Sequence, residues 1–483
     1  MLKDKFWNIT ILYGLGEALT RAITFLLLAF HTNTELFNSV KEQDQLFVLY
    51  PFLAFMNALY AFGMHQSFFK YYNKNNATLG TALSAGLIIV IIISTVMFLT
   101  QNIINQFIFK FENPLVIHNQ PWIMFVICIL SLDAFSARLK ALLRVLEKPI
   151  YFIMISLLNV ISSFLLTYYF LEIQKCGFSG VVIALFITSI IQFILLLPSL
   201  LYCRKNIFNF QIKLLYQMLK FGIPFLPAAL LLLIIELSDR FFIHHLLPAG
   251  DVLTYSAGYK IGAIILIIVN AFNQNWQPYL NKQAGKNKIQ HAINNFQKIG
   301  NVFIVFLITV ASVLFLFCEE LASLHIPFLQ TPLIHSNYIQ PNAEIVPIVM
   351  CAYILYGVFV LQMPSIYFKN KQNWVFVLWC LGGLVNIVGN IILISPQFMN
   401  LGIKGAAIST LVAYAVMTTL LLIKNYRWMK ITYNYYLFVK ILLLGGFLGV
   451  LKSVVVINTS ALIVLSVLYV LWTSAEMFKL YKQ

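Results

Sequence analysis

Stretches of about twenty consecutive apolar residues recur along this chain without a polar domain between them, and that decides its solvent. At 1.5 Å per residue, one such stretch crosses a hydrocarbon core of ~30 Å. Read against charged and Pro/Asn-rich breaks, the sequence predicts fourteen spans: 6–30, 46–69, 80–102, 121–143, 150–171, 178–202, 221–247, 254–279, 299–318, 343–367, 374–395, 401–423, 437–457 and 459–478. Hydrophobic residues make up 61% of the 483 and charged residues 10%, a balance that no soluble fold of this length could hide from water. The expectation is an all-α polytopic membrane protein, with every backbone polar group satisfied within its own helix.

The formal charge of +16 raises nucleic acid or an acidic partner as an alternative, so the placement of the basic residues matters. Of the 32 Lys and Arg, 24 fall in alternate connecting segments or the span ends beside them, six in or beside the intervening ones, and two, Arg21 and Lys260, well inside spans. This is the positive-inside pattern of a membrane topology with both termini cytoplasmic, and no nucleic-acid footprint is expected. Phe6 to Phe30 is a full-length span carrying Glu17 and Arg21, so no signal peptide is expected to be removed. The six cysteines stand singly in or beside spans, without metal-ligand spacing, and read as small apolar residues.

An internal repeat organises the spans. The stretch LLNVISSFLLTYYFLEIQKCGFSGVVIALFITS from Leu157 aligns with LVNIVGNIILISPQFMNLGIKGAAISTLVAY from Leu384 after a two-residue gap. Asn159 then matches Asn386, Gly177 matches Gly402 and Gly180 matches Gly405, the glycines 225 residues apart. Singly, each residue reads as helix packing. Their joint order implies two parallel six-span bundles, 1–205 and 206–425, with two additional helices in 426–483.

The stretch LKFGIPFLPAALLLLIIELSDRFFIHHLLPAGDVLTYSAGYKIG from Leu219, followed by LVNIVGNIILI and LGIKGAAISTL, resembles the polysaccharide transporter branch of the multidrug/oligosaccharidyl-lipid/polysaccharide flippase superfamily, with Wzx-type O-antigen and capsule flippases as nearest type. The likeness lies in a basic residue, F-G-x-P, a long apolar span, D-R and Y-S-x-x-Y-K, then an Asn-rich span and G-x-x-G-A-A, in that order over nearly the whole chain. The first outer loop, HTNTELFNSVKEQDQLFVL, is longer than the family's and lacks its glycine. The resemblance implies a transporter in the bacterial inner membrane, working as a monomer among membrane lipids and polysaccharide assembly proteins. Its implied partner is a polyprenyl diphosphate carrying a short glycan, moved from the cytoplasmic to the periplasmic leaflet for O-antigen, lipopolysaccharide, capsule or exopolysaccharide synthesis. It further implies two bundles around a cavity that opens alternately to each side. A diphosphate with sugars cannot cross hydrocarbon unaided, so a polar, cationic cavity must replace its water.

Charges inside the spans are costly, ~2.5 to 3.5 kcal/mol each on insertion scales, and therefore need partners or a role. Glu17 and Arg21, four apart on one helix face, could neutralise each other. In spans that the resemblance uses to line the cavity, Arg21 and Lys260 are equally read as substrate-binding cations, with Glu17 beside them. Asp133 and Glu236 lie deeper, without an opposite charge nearby in sequence, and are candidates for H⁺ or Na⁺ coupling or for hydrogen bonding to a facing helix. Asp239 and Arg240, near the outer end of span seven, are expected to snorkel to the interface and serve structure or gating, with Asn386 and Asn390. Pro224 and Pro227 should interrupt span seven, where a bend suits a moving helix.

No HExxH, Gly-rich phosphate loop or G-x-S-x-G occurs, and no catalytic residue, metal site or bound cofactor is expected. Two other readings stay open. One is a drug or metabolite cation antiporter of the same superfamily, disfavoured by the two extra spans and the D-R and Y-S-x-x-Y-K elements. The other is a membrane-embedded polymerase, disfavoured because the longest outer loop, 319–344, is too short for a catalytic domain.

Overall fold

The computed structural model describes residues 19–482 except 21, 73–76, 112–115, 118–119, 207–208, 285–288, 327–330, 336–337, 370, 372 and 455–458. Glu17 and Arg21 therefore lie outside the described residues. Among those described, eleven helices are long and apolar enough to cross a membrane, or thirteen if each of two bent pairs forms one span. These thirteen fall on the expected spans two to fourteen, and the described part of the first contains the apolar helix α1, Ala22–Thr32. The protein is thus an all-helical, multi-pass membrane protein.

The chain folds as two compact units, Met1–Leu233 with Pro248–Leu253, and Ile234–Leu247 with Thr254–Gln483. The first holds α2 (Val40–Ala61), α3 (Met64–Tyr71), α4 (Thr78–Leu99), α5 (Trp122–Val145), α6 (Pro149–Tyr168), α7 (Gly177–Leu196) and α8 (Ile212–Gly222). Helix α5 packs against α2, α4 and α7. At its start Trp122 is fully buried, with Phe109 4.8 Å and Phe178 5.8 Å from its ring, and its indole N–H donates to Asn105 Oδ1 at 2.7 Å. That satisfies the polar end of an otherwise apolar anchor.

Helix α9 (Phe225–Leu237) crosses the boundary between the units. The second unit continues with α10 (Asp239–Leu246), α11 (Asp251–Gly262, from Thr254 on), α12 (Ile264–Ala284), α13 (Ile289–Leu316), α14 (Ile339–Leu361), α15 (Asn373–Ile394), α16 (Gly402–Trp428), α17 (Tyr435–Val454) and α18 (Thr459–Lys482). Helices α14 and α15 pack on α16, whereas α17 and α18 pack on α13. The Tyr469 hydroxyl fastens the last helix there, bonding to Ser312 Oγ and the Ile441 carbonyl, each at 3.1 Å. Besides helices, the described residues form two short ribbons, Val116–Ile117 with Gln120–Pro121 and His325–Ile326 with Thr331–Pro332.

Span two starts earlier than the expected residue 46. Ser39 caps α2 by accepting from the Glu42 N–H at 3.1 Å, and Glu42 reaches back to the Asn38 N–H at 2.8 Å. This local capping begins the helix at Val40 and carries Asp44 into it. The same span bends by 40° between α2 and α3, where Phe62 and Gly63 adopt φ of 49° and 67°. Gly63 is needed there for space as well as conformation, because a Cβ would sit 2.0 Å from the Gly222 carbonyl oxygen. The helix also stops at Gly222 and resumes at Phe225, with Pro224 in the interruption and Pro227 in the first turn of α9, where no N–H is required.

The turns opening α7 and α16 have the same conformation. Lys175 and Gly177 have φ of 51° and 53°, and Asn400 and Gly402, 225 positions later, have 53° and 57°. Two left-handed residues at the same spacing are an uncommon backbone solution, so the sequence repeat extends to local geometry.

Candidate functional site

Each unit contains a polar centre. In the second unit, α9 ends at Leu237 and α10 starts at Asp239, with Ser238 between them in helical conformation. The Asp239 carboxylate is fully buried and accepts three side-chain hydrogen bonds: Tyr255 at 2.5 Å, Asn390 at 2.8 Å and Thr410 at 3.0 Å. Asn386 and Asn390, one turn apart on α15, are linked at 3.1 Å, and Asn386 also accepts from Ser238 at 3.1 Å. The expectation that Asp239 and Arg240 snorkel to the interface is corrected here: their exposures are 0% and 6%. The physical reason is the donor set on α11, α15 and α16, which replaces the water that a snorkelling carboxylate would seek.

One oxygen in this network is unsatisfied. Asn390 Oδ1 is buried without a hydrogen-bond partner, while its amide nitrogen points at Asp239. Rotating that amide would present Asn390 Oδ1 beside the Asp239 carboxylate, Asn386 Oδ1 and Thr410 Oγ1. Neutral and anionic oxygens of this kind suit a hard monovalent cation or a proton. Among the described residues no group of three or more His, Cys, Asp or Glu could hold a metal, so no transition-metal site competes with it.

Beside the acid lie cations and tyrosines. The Arg240 guanidinium rests 4.3 Å from the Tyr259 ring and 5.6 Å from the Tyr255 ring, and donates to the Glu236 carbonyl at 3.0 Å. Lys260, half-buried near the end of α11, directly follows the Tyr259 on whose ring Arg240 rests. Glu236 stands one turn before Arg240, near the end of α9. The fold therefore gathers five candidates read from the sequence, Asp239, Arg240, Lys260, Asn386 and Asn390, with Glu236 adjoining. Tyr255 and Thr410 are not among the sequence candidates, although Tyr255 stands in the Y-S-x-x-Y-K element, because a lone tyrosine or threonine in an apolar span reads as ordinary helix packing.

In the first unit a polar cavity of about 430 Å³ is lined from α2, α3, α5, α6 and α7. Asp133 accepts from Ser189 at 2.9 Å, and Lys140, two turns along α5, donates to Gln192 at 2.6 Å. Asp133 and Lys140 thus line one cavity from the same helix, each bonded to α7. A second cation that the sequence places in a cytoplasmic segment, Arg138, is buried at 4% exposure and donates to the Ala134 and Tyr60 carbonyls at 2.6 and 3.3 Å. The Tyr60 carbonyl is available because the bend at Phe62–Gly63 interrupts the helical ladder.

Asp44, absent from the sequence-derived candidates, is also buried, accepting from the N–H groups of Gly250 and Leu253 at 2.6 and 2.9 Å. It occupies the N-terminal end of α11, where the helix dipole favours an anion. The later start expected for span two leaves this residue in a loop, where its burial has no sequence signal.

A family model described as "Polysaccharide biosynthesis protein" matches residues 5–283. Among solved structures the chain is similar to the lipid II flippase MurJ in an inward closed conformation, with a TM-score of 0.75 and 16% identity over 97% of this chain and 99% of that one. It is also similar to an inward-facing multidrug resistance MATE family transporter of the MOP superfamily, with a TM-score of 0.65 and 12% identity over 84% and 98%. A third likeness is to a point mutant of the Vibrio cholerae MATE transporter VcmN, with a TM-score of 0.58 and 16% identity over 88% and 96%. At these identities the likenesses show a shared fold. Among curated proteins none matches in sequence.

Proposed function

Because this chain belongs to the polysaccharide biosynthesis protein family, we propose that it flips a polyprenyl-diphosphate-linked oligosaccharide from the cytoplasmic to the periplasmic leaflet. The observation that carries the reading is a buried guanidinium in a membrane helix, Arg240 resting on the Tyr259 ring, with Lys260 the next residue after that tyrosine. A diphosphate that leaves water would gain charge-assisted hydrogen bonds from a guanidinium and an ammonium in place of its hydration. Arg21 is proposed as a further cation for the same headgroup, with Glu17 positioning it. The family match favours a glycan-bearing substrate over the drug or cation of an antiporter, and the likeness in fold to a flippase and to transporters supports a transport role over polymerase chemistry.

Coupling is assigned to the Asp239 centre and adjoining Glu236. Asp239, Asn386, Asn390 and Thr410 would hold Na⁺ or, at Asp239 alone, a proton. A bound ion there would reorganise the hydrogen bonds joining α10, α11, α15 and α16, biasing the lobe between conformations. The location proposed is the bacterial inner membrane, with both termini cytoplasmic; O-antigen, lipopolysaccharide, capsule and other exopolysaccharides are all consistent destinations.

The test is leaflet-resolved analysis of lipid-linked glycan in a strain lacking this chain. Accumulation on the cytoplasmic side, reversed by the wild type and not by a Lys260→Ala, Arg240→Ala double variant, is expected. An unchanged leaflet distribution in the deletion strain would exclude the function.

A further inference from the structure

The cavity in the first unit has chemistry that a diphosphate site does not explain. It holds one charge of each sign, each with its own hydrogen-bond partner: Asp133 accepts from Ser189, and Lys140 donates to Gln192. Asn57 on α2 and Asn159 and Ser163 on α6 line the same space. The Asn159 carbonyl oxygen is buried and makes no hydrogen bond. Its counterpart in the repeat, Asn386, is instead fully engaged with Ser238, Thr410 and Asn390.

Polar side chains inside a membrane protein ordinarily bond to a neighbouring helix, since leaving them without a partner costs on the order of 1 to 3 kcal/mol each. Here amides, hydroxyls, a carboxylate and an ammonium converge on one cavity of about 430 Å³. That space greatly exceeds a single ion, and an ammonium in the wall opposes a cation. Its remaining lining is small or aliphatic, including Leu53, Ala134 and Leu185, with His65 the single ring among the described lining residues. An aromatic drug would find no stacking partner and would leave the amides unsatisfied. A sugar ring is different, because each hydroxyl both donates and accepts, as does each carboxamide.

We propose that this cavity is a saccharide subsite that takes one uncharged sugar residue of the lipid-linked glycan. Asn57, Asn159 and Ser163 bond its hydroxyls, and Asp133 and Lys140 supply a further acceptor and donors. The absence of net charge in the Asp133–Lys140 pair selects against acidic sugars, which would leave Asp133 opposed. This subsite rests on the flippase reading above and adds to it a discrimination by sugar that the cationic headgroup site cannot make. It also assigns Asp133 to binding rather than to ion coupling.

The experiment uses the full chain in proteoliposomes with two fluorescent substrates, a polyprenyl diphosphate carrying one N-acetylglucosamine and the same carrier without sugar. For the wild type, and for Asn159→Leu and Asp133→Asn, the ratio of the two flipping rates is measured. Asn159→Leu keeps the side-chain size and removes a buried polar group, so folding is preserved, and thermal melting of each variant checks this. The expected result is a fall of about tenfold in the ratio of glycosylated to sugar-free rate, the loss of one or two hydrogen bonds to the sugar. A ratio equal to wild type in both variants, whether or not the absolute rates change, overturns the subsite and leaves the flippase reading intact. A wild type that flips neither substrate overturns the flippase reading and the subsite with it.

Discussion

Asn390 donates to Asp239 at 2.8 Å from a helix 151 residues further along the chain, and its own carbonyl oxygen is left buried without a partner. Such an arrangement is one amide rotation from an all-oxygen cage. If the cage takes Na⁺, replacing choline with Na⁺ at constant ionic strength should raise the melting temperature of the purified wild type. At a hundredfold excess over the dissociation constant, the stabilisation is ~2.7 kcal/mol. Asp239→Asn and Asn390→Ala should each abolish the shift and the coupled transport. A shift that survives Asp239→Asn would place the ion elsewhere, whereas no shift in any salt together with normal transport by Asp239→Asn would remove Asp239 from coupling.

A close backbone approach in the first unit is also open to test. A Cβ on Gly222 would stand 2.6 Å from Ser67 Oγ and 2.8 Å from the Gly63 carbonyl oxygen. Gly222→Ala must therefore push apart α3 and α8, at a cost of ~1 to 3 kcal/mol typical of overpacking. Gly63→Ala should be worse, because it adds an unfavourable left-handed conformation to a closer clash. Thermal unfolding in detergent should rank wild type above Gly222→Ala above Gly63→Ala. A melting temperature for Gly222→Ala equal to that of wild type would show the contact to be looser than described.

For the headgroup cations, a guanidinium offers a planar fork to phosphate and a lysine only a point charge. Arg21→Ala is expected to abolish export with the protein still expressed, Arg21→Lys to be partly active, and Lys260→Ala to be intermediate. The measurement is lipid-linked glycan on the periplasmic face. Normal export by an Arg21→Ala, Glu17→Ala double variant would make that pair structural and leave the headgroup to Arg240 and Lys260.

Topology gives an independent check. Single cysteines introduced into an otherwise cysteine-free chain at Lys175 and Gln330 should react with an impermeant maleimide from outside, and those at Lys148 and Lys286 only after permeabilisation. Reversal at two of the four positions would invert the orientation and with it the assignment of leaflets.

The solvent, the helices and the duplicated order of the spans are all legible in the amino-acid sequence. They follow from local quantities: the length of an apolar run against the bilayer, the alternation of Lys and Arg, and glycines recurring 225 residues apart. Pro224 likewise marks the break before α9, because a missing N–H acts on the adjacent turn. The environments of the charges come from the folded chain instead. Asp239 reads as an interfacial residue in the sequence, and the fold brings Tyr255, Asn390 and Thr410 to it. Asp44 reads as loop, and it is buried against Gly250 and Leu253, more than two hundred residues away. Lys140 reads as part of a cytoplasmic segment, and it stands beside Asp133 and Gln192 in a polar cavity. The reason is common to all three. The cost of a buried charge is set by the donors and charges within a few ångströms, and in a helical membrane protein those come from other helices, so the linear sequence shows that a charge is present and only the fold shows what surrounds it.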